Sequence, residues 1–198
     1  INYGDISDDD DDDEHNPALW CTTVERVTDK FHPTFDATSR AYAYLIDAKL
    51  LQGHMNRFCE KEIDTENIVS VMNAMLHKIE GVELDFFALS FGKVKTSNNL
   101  CTLSRFHVSL VETANGNQAL CFELVGDRFL RRMVRILIAT IIRETMEVFS
   151  VVESPHDHVE DFDERLLKII QEGRRDKSAK AAPPDGLIFV GASFSTSI

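Results

Sequence analysis

The chain has 198 residues, 43% of them hydrophobic and 27% charged, with a formal net charge of −12. That length suits one globular domain burying about 70% of its unfolded surface. There is no apolar run of 18 residues and no basic-then-apolar leader, so the reading is a soluble, intracellular protein with no membrane partner. Asp5, Asp8 to Asp13 and Glu14 hold eight of the negative charges and leave −4 on the rest. A run of that kind repels itself and cannot be buried, so residues 1–16 are predicted to be an acidic disordered tail or insertion, with the folded part over 17–198.

Strand formers alternate from Trp20 to Val27 and predict a first strand. After Pro33, Arg40 to Ile46 predicts a second, with Arg40, Tyr42 and Tyr44 on one face because strand side chains alternate with period two. Asp47 to Asp64 shows no clean period and reads as a connection with a short helical piece. Ile68, Val71, Met72, Met75 and Ile79 lie at helical spacing over Thr65 to Ile79, and Gly81 stops that helix. Leu100 to Glu112 and Gln118 to Val125 form strands joined by Ala114-Asn115-Gly116-Asn117, where Asn-Gly predicts an antiparallel hairpin. Asp127 is placed as the cap of a long helix to about Phe149, with Phe129, Met133, Ile136, Leu137, Thr140 and Ile141 on its buried side. A helix over Phe162 to Glu172, a basic loop and an apolar strand from Gly186 to Phe194 complete the order. It predicts an α+β fold, a mixed but mainly antiparallel sheet with helices packed on one face.

Four cysteines without a Cys-x-x-Cys pair read as buried thiols, not a zinc site, and His156 and His158 beside Asp157, Asp161 and Asp163 read as a polar surface loop. Arg128, Arg131, Arg132 and Arg135 fall at i, i+3, i+4 and i+7 and predict a cationic stripe on the long helix. Cations are disfavoured at a helix N-terminus, so a phosphate-rich ligand would offset the strain; a solvated face paired with acids is the plainer alternative. Arg174, Arg175, Lys177 and Lys180 form a second basic cluster without interleaved aromatic residues.

These segments together resemble one family. Phe31-His32 and Phe35-x-Ala37-x-x-Arg40-x-Tyr42-x-Tyr44 resemble the second motif of the TruA-type tRNA pseudouridine synthases. Gly126-Asp127-x-Phe129-Leu130-x-x-Met133-Val134-Arg135 resembles their third, and Ala182-Pro183-x-x-Gly186-Leu187 the entrance to their final strand. Gly81 to Phe87 loosely resembles a further turn, with Asp85-Phe86 kept. The resemblance spans Trp20 to Phe194 and implies the C-terminal part of a pseudouridine synthase catalytic domain. It implies an isomerase that uses no metal or small-molecule cofactor, converts uridine to pseudouridine in tRNA, and in many family members works as a homodimer. Tyr42 would stack on the base and move its proton, Arg135 would pair with the nucleophilic aspartate, and Leu187 would line the pocket. Arg40, Arg128, Arg131 and Arg132 would bind substrate, the last three through phosphates.

Two departures shape the expectation. The family's Arg-Thr-Asp-x-Gly-Val-His nucleophile loop is not reproduced; Thr28-Asp29-Lys30 and Gly173-Arg174-Arg175-Asp176 match it only in part. Ala139 stands for a family glycine, and Ser97 to Ser104 lacks the usual basic and aromatic residues. The chain is therefore expected to be a fragment whose nucleophilic Asp lies elsewhere, inactive by itself. The alternative is a non-catalytic RNA-binding relative that keeps the fold.

Overall fold

The computed structural model describes residues 24, 26–92, 98–151 and 161–195. Two compact units divide the chain, Ile1–His32 and Pro33–Ile198. The acidic run, the His156–His158 segment and most of the strand predicted over Trp20 to Val27 lie outside the described residues, and the described part of that strand, Val24, Arg26 and Val27, is not strand.

The second unit carries β1 (Ala37–Asp47), α1 (Ala48–Cys59), α2 (Thr65–His77), β2 (Glu83–Asp85), β3 (Leu100–Glu112), β4 (Gln118–Gly126), α3 (Met133–Val151), α4 (Arg165–Glu172) and β5 (Leu187–Phe194). The sheet order is β2-β3-β4-β1-β5, and every pairing is antiparallel. Leu120, Phe122 and Leu124 of β4 and Leu103, Phe106 and Val108 of β3 pack under Met72 and Met75 of α2 and Leu137 and Ile141 of α3. The opposite sheet face presents exposed Arg105 and His107. The α+β fold with helices on one face is as predicted, and its described strands are wholly antiparallel. Among the described residues no helix is long and apolar enough to cross a membrane.

Local chemistry explains the hairpin. Gly116 takes φ 73°, the left-handed conformation that the turn requires, and Thr113 and Asn117 close it with a 2.8 Å backbone hydrogen bond. One step in the β3–β4 register, from Leu103↔Gly126 to Arg105↔Val125, leaves Ser104 as an extra residue. This bulge shifts the alternation, so Cys101 and Leu103 face the core before it and Phe106 and Val108 after it.

Two predictions need correction. Asp47 to Asp64 holds more than a short helical piece: α1, of 12 residues, fills most of it, with the Asp47 carboxylate accepting from Leu50 N at 2.8 Å. Its buried stripe is only Ala48, Leu51 and Met55, at i, i+3 and i+7, too sparse to stand out among polar neighbours. The long helix is the second correction, since Asp127 does not cap it. β4 runs on to Gly126, and the Asp127 carboxylate accepts from Thr102 N at 3.0 Å and Arg128 N at 2.6 Å, closing the strand end instead. α3 begins only at Met133, after a turn in which Arg132 adopts φ 60°. Phe129 therefore reaches the core from a loop, and Arg128, Arg131 and Arg132 form no helical stripe.

The interior of α3 also holds a charge. Glu144 is buried, and its carboxylate takes Arg143 and Arg165 at 2.7 Å each, joining α3 to α4. Arg143 also donates to the Lys177 carbonyl, and Ala179 N donates to Thr140 Oγ1 at 3.1 Å. The segment leading to β5 is thus pinned along α3.

Burial pushes the Cys101 thiol up to about 12 from its ordinary 9.0. Below pH 9 folded and unfolded states both keep the proton; above it only the unfolded chain ionises, so stability falls as pH rises from about 9 to about 12. Tyr44, Cys59 and Cys121, all raised chiefly by burial, act in the same direction. Urea midpoints are expected to drop across that window, and less steeply in Cys101→Ala. Equal slopes in the two proteins would remove this thiol from the account.

Candidate functional site

β1 lies between β4 and β5, and its residues Arg40 to Tyr44 face a partner on each side. Tyr42 pairs with Leu124 and Phe189, and Tyr44 with Phe122 and Leu187. As predicted, the two tyrosines share the core-side face, roughly 7 Å apart along the strand. Their surroundings differ. Tyr44 is 3% exposed, and its hydroxyl donates to the Pro183 carbonyl at 2.8 Å. Burial raises its pKa, Arg135 opposes that rise and Asp185 adds to it. Tyr42 is half-buried, its ring edge-on to Phe129 at 5.0 Å and tilted against Phe189 at 5.4 Å. Its hydroxyl makes no hydrogen bond among the described residues.

Arg135 stands in the first turn of α3. Its Nε donates to the Ala182 carbonyl at 2.6 Å, and Ala182 N returns a bond to the Arg135 carbonyl at 3.0 Å. Among the described residues no carboxylate pairs with it. The loop then continues through Pro183, held by Tyr44, to Gly186, whose carbonyl accepts from Leu45 N at 2.9 Å. Leu187 follows, half-buried against the core. One segment, 182–187, thereby gathers Arg135, Tyr44 and the start of β5.

The remaining predicted residues divide. Arg40 is a strap: its guanidinium donates to the Asp127 carbonyl at 2.9 Å and to the Thr34 carbonyl, tying the approach to β1 to the end of β4. Arg131 and Arg132 converge on the Phe91 ring, with guanidinium carbons 5.5 and 4.1 Å from its centroid. Arg128 is half-exposed nearby in sequence, and among the described residues none of the three meets a carboxylate. By contrast Arg105, Arg143, Arg165 and Arg174 are each ion-paired. The Arg174 pair occupies Asp176 and depresses its pKa.

The second basic cluster is not a unit either. Arg175 leaves it to lie 4.0 Å from the Phe87 ring centroid, donating to Ser90 Oγ at 3.1 Å. From the sequence, Phe129 is placed on the buried side of the long helix and Phe87 in the turn after Gly81, neither as a site residue, and Phe189 and Phe91 are given no role. Phe189 does carry a signal, the period-two spacing that puts it two positions beyond Leu187. A cavity of about 400 Å³ lined by Glu83, Leu84, Asp85, Phe87, Ile170, Gln171 and Gly173 contains none of the predicted site residues.

Fold and site together define an α+β domain that gathers aromatic rings around the β4–α3 junction, with arginines that meet no carboxylate among the described residues. Residues 54–195 match the tRNA pseudouridine synthase family, and the chain belongs to it. It is 25% identical over 185 residues to tRNA pseudouridine synthase A of Ehrlichia chaffeensis, covering 89% of this chain and 65% of that protein. Over 180 residues it is 25% identical to the protein of the same name from Bacteroides thetaiotaomicron, covering 90% and 60%. The Thermotoga petrophila protein of that name is 25% identical over 179 residues, covering 89% and 64%. The chain thus spans about 60% of the length of these relatives.

Proposed function

We propose that this chain forms the C-terminal part, over residues 17–198, of the catalytic domain of an enzyme that isomerises uridine to pseudouridine in tRNA. The observation that carries the site reading is the contrast between the two tyrosines. Tyr44 spends its hydroxyl on Pro183, whereas the Tyr42 hydroxyl makes no hydrogen bond among the described residues and sits on a ring set between Phe129 and Phe189. An aromatic face suits a planar base, and a base reaches it only by leaving its stack. Tyr42 stacks on the target and passes the proton that carbon must release when the base reattaches through it.

Arg135 supplies a permanent positive charge, since a guanidinium does not deprotonate in proteins. Held at one nitrogen by Ala182, it keeps the attacking carboxylate ionised and in place. That carboxylate comes from outside this chain. Leu187 lines the base pocket, Arg128, Arg131 and Arg132 contact RNA phosphates, and Arg40 shapes the site by bracing the entry to β1. Assembly as a homodimer belongs to the same proposal, carried over from the family resemblance.

Tritium release from tRNA labelled at uridine C5 tests this directly. The full-length protein is expected to release tritium with pseudouridine formed in equal amount. Silence from a protein that still binds tRNA would favour the non-catalytic RNA-binding relative.

A further inference from the structure

Phe91 is a large aromatic residue left 48% exposed, yet it is far from loose. Its backbone N–H donates to the Arg131 carbonyl at 3.0 Å, which fixes it to the turn before α3. In that turn Arg132 holds φ 60°, a conformation that residues with a Cβ seldom adopt and that persists where its surroundings enforce it. The result is an exposed guanidinium 4.1 Å from the Phe91 centroid, with Arg131 second at 5.5 Å.

A cation resting on a ring is often a surface side chain covering apolar area. Three features point further. Among the described residues no carboxylate neutralises Arg131 or Arg132, so two positive charges are left without a counter-charge beside a half-exposed ring. The guanidinium is planar: its rim carries N–H donors suited to phosphate, and a base can stack on a guanidinium plane or an aromatic face. The arrangement also recurs four residues earlier in the chain, where Arg175 lies 4.0 Å from the Phe87 centroid and is tied to Ser90. Phe87, Ser90 and Phe91 belong to one short segment, so the two cation–ring pairs are presented by the same piece of backbone.

We propose that Phe91 and Arg132 form a stacking platform for an unpaired RNA nucleotide that flanks the target uridine, with Arg131 on its phosphate and the Arg175–Phe87 pair extending the track. The ligand class rests on the RNA-modifying reading; the platform does not depend on the roles given to Tyr42 and Arg135. Stacking on such a surface tolerates any base, so the platform supplies affinity and position more than sequence choice.

Two substitutions in the full-length protein separate stacking from charge. Phe91→Leu keeps an apolar side chain and removes the ring; Arg132→Lys keeps the charge and removes the plane. Fluorescence anisotropy with tRNA, across a series of salt concentrations, is expected to show each weakening binding about tenfold with the salt slope unchanged. Phe91→Trp is expected to bind at least as well as the parent, which shows that the position tolerates change. A 2-aminopurine beside the target uridine should be quenched by the parent and by Phe91→Trp but not by Phe91→Leu. Turnover at saturating tRNA should stay at the parent rate in Phe91→Leu, with the defect confined to KM. Affinities within twofold of the parent, or a loss that comes with a flatter salt slope, overturn the platform. So does a lost kcat with affinity intact. If the parent protein forms no pseudouridine, the binding arms still decide the platform while the enzyme reading falls.

Discussion

Tyr42→Phe in the full-length protein is expected to lower pseudouridine formation by about a thousandfold, within the range that positioned proton transfer contributes, while leaving fold and tRNA affinity in place. The substitution removes one oxygen that has no hydrogen bond among the described residues, so no polar group among them is left unsatisfied. Tyr44→Phe is the matched control. It loses the 2.8 Å bond to Pro183, at about 1 kcal/mol of stability, and should keep turnover within a few fold. Arg135→Ala should also abolish turnover, but it releases Ala182 as well, so its interpretation leans on Arg135→Lys. Lysine preserves the charge without the fork that can hold Ala182 and a carboxylate together, so it should fold and remain slow. Normal turnover in Tyr42→Phe, or equal losses in the two tyrosine variants, would falsify the assignment.

Those two tyrosines also show how far a sequence can be read. Period two alone puts Tyr42 and Tyr44 on one face, and the register with β4 agrees. Which of them is free to act depends on Pro183, which is 139 residues from Tyr44 and reaches it only through the β5 pairing. No local pattern carries that information. Asn115-Gly116 was legible for the opposite reason, because the turn is specified by the residues within it. Asp127 shows where local reading misleads. A carboxylate that can accept from the first N–H groups of a helix can equally accept from Thr102 and Arg128 at the end of a strand, and here the sheet wins. Once the helix start moves to Met133, the i, i+3, i+4, i+7 spacing of the arginines loses its meaning. Their grouping survives because Phe91, far upstream, collects two of them. Likewise, whether an arginine meets an acid is decided by tertiary contacts: Arg165 finds Glu144, and Arg132 meets no carboxylate among the described residues.

Gly186 is the point at which fold and site are joined most tightly. A Cβ built there would sit 2.5 Å from the Leu45 carbonyl oxygen and 3.0 Å from two carbons of the Tyr44 ring. Neither neighbour can give way easily. Leu45 is paired with Cys121 of β4 and donates its N–H to Gly186, while Tyr44 is buried and held by Pro183. Gly186→Ala must therefore push the 182–187 segment off β1, and it is expected to cost about 1–3 kcal/mol. The same displacement would break the Tyr44–Pro183 bond and shift the anchor of Arg135, so turnover should fall further than the stability loss explains. Gly191→Ala supplies the comparison within β5, because a Cβ there meets nothing within 4 Å. It should fold and turn over like the parent. Urea unfolding of both variants, with turnover measured well below their unfolding midpoints, separates the two effects. A Gly186→Ala protein of parental stability and rate would mean that the segment moves aside at no cost, and that Arg135 does not depend on it for its position.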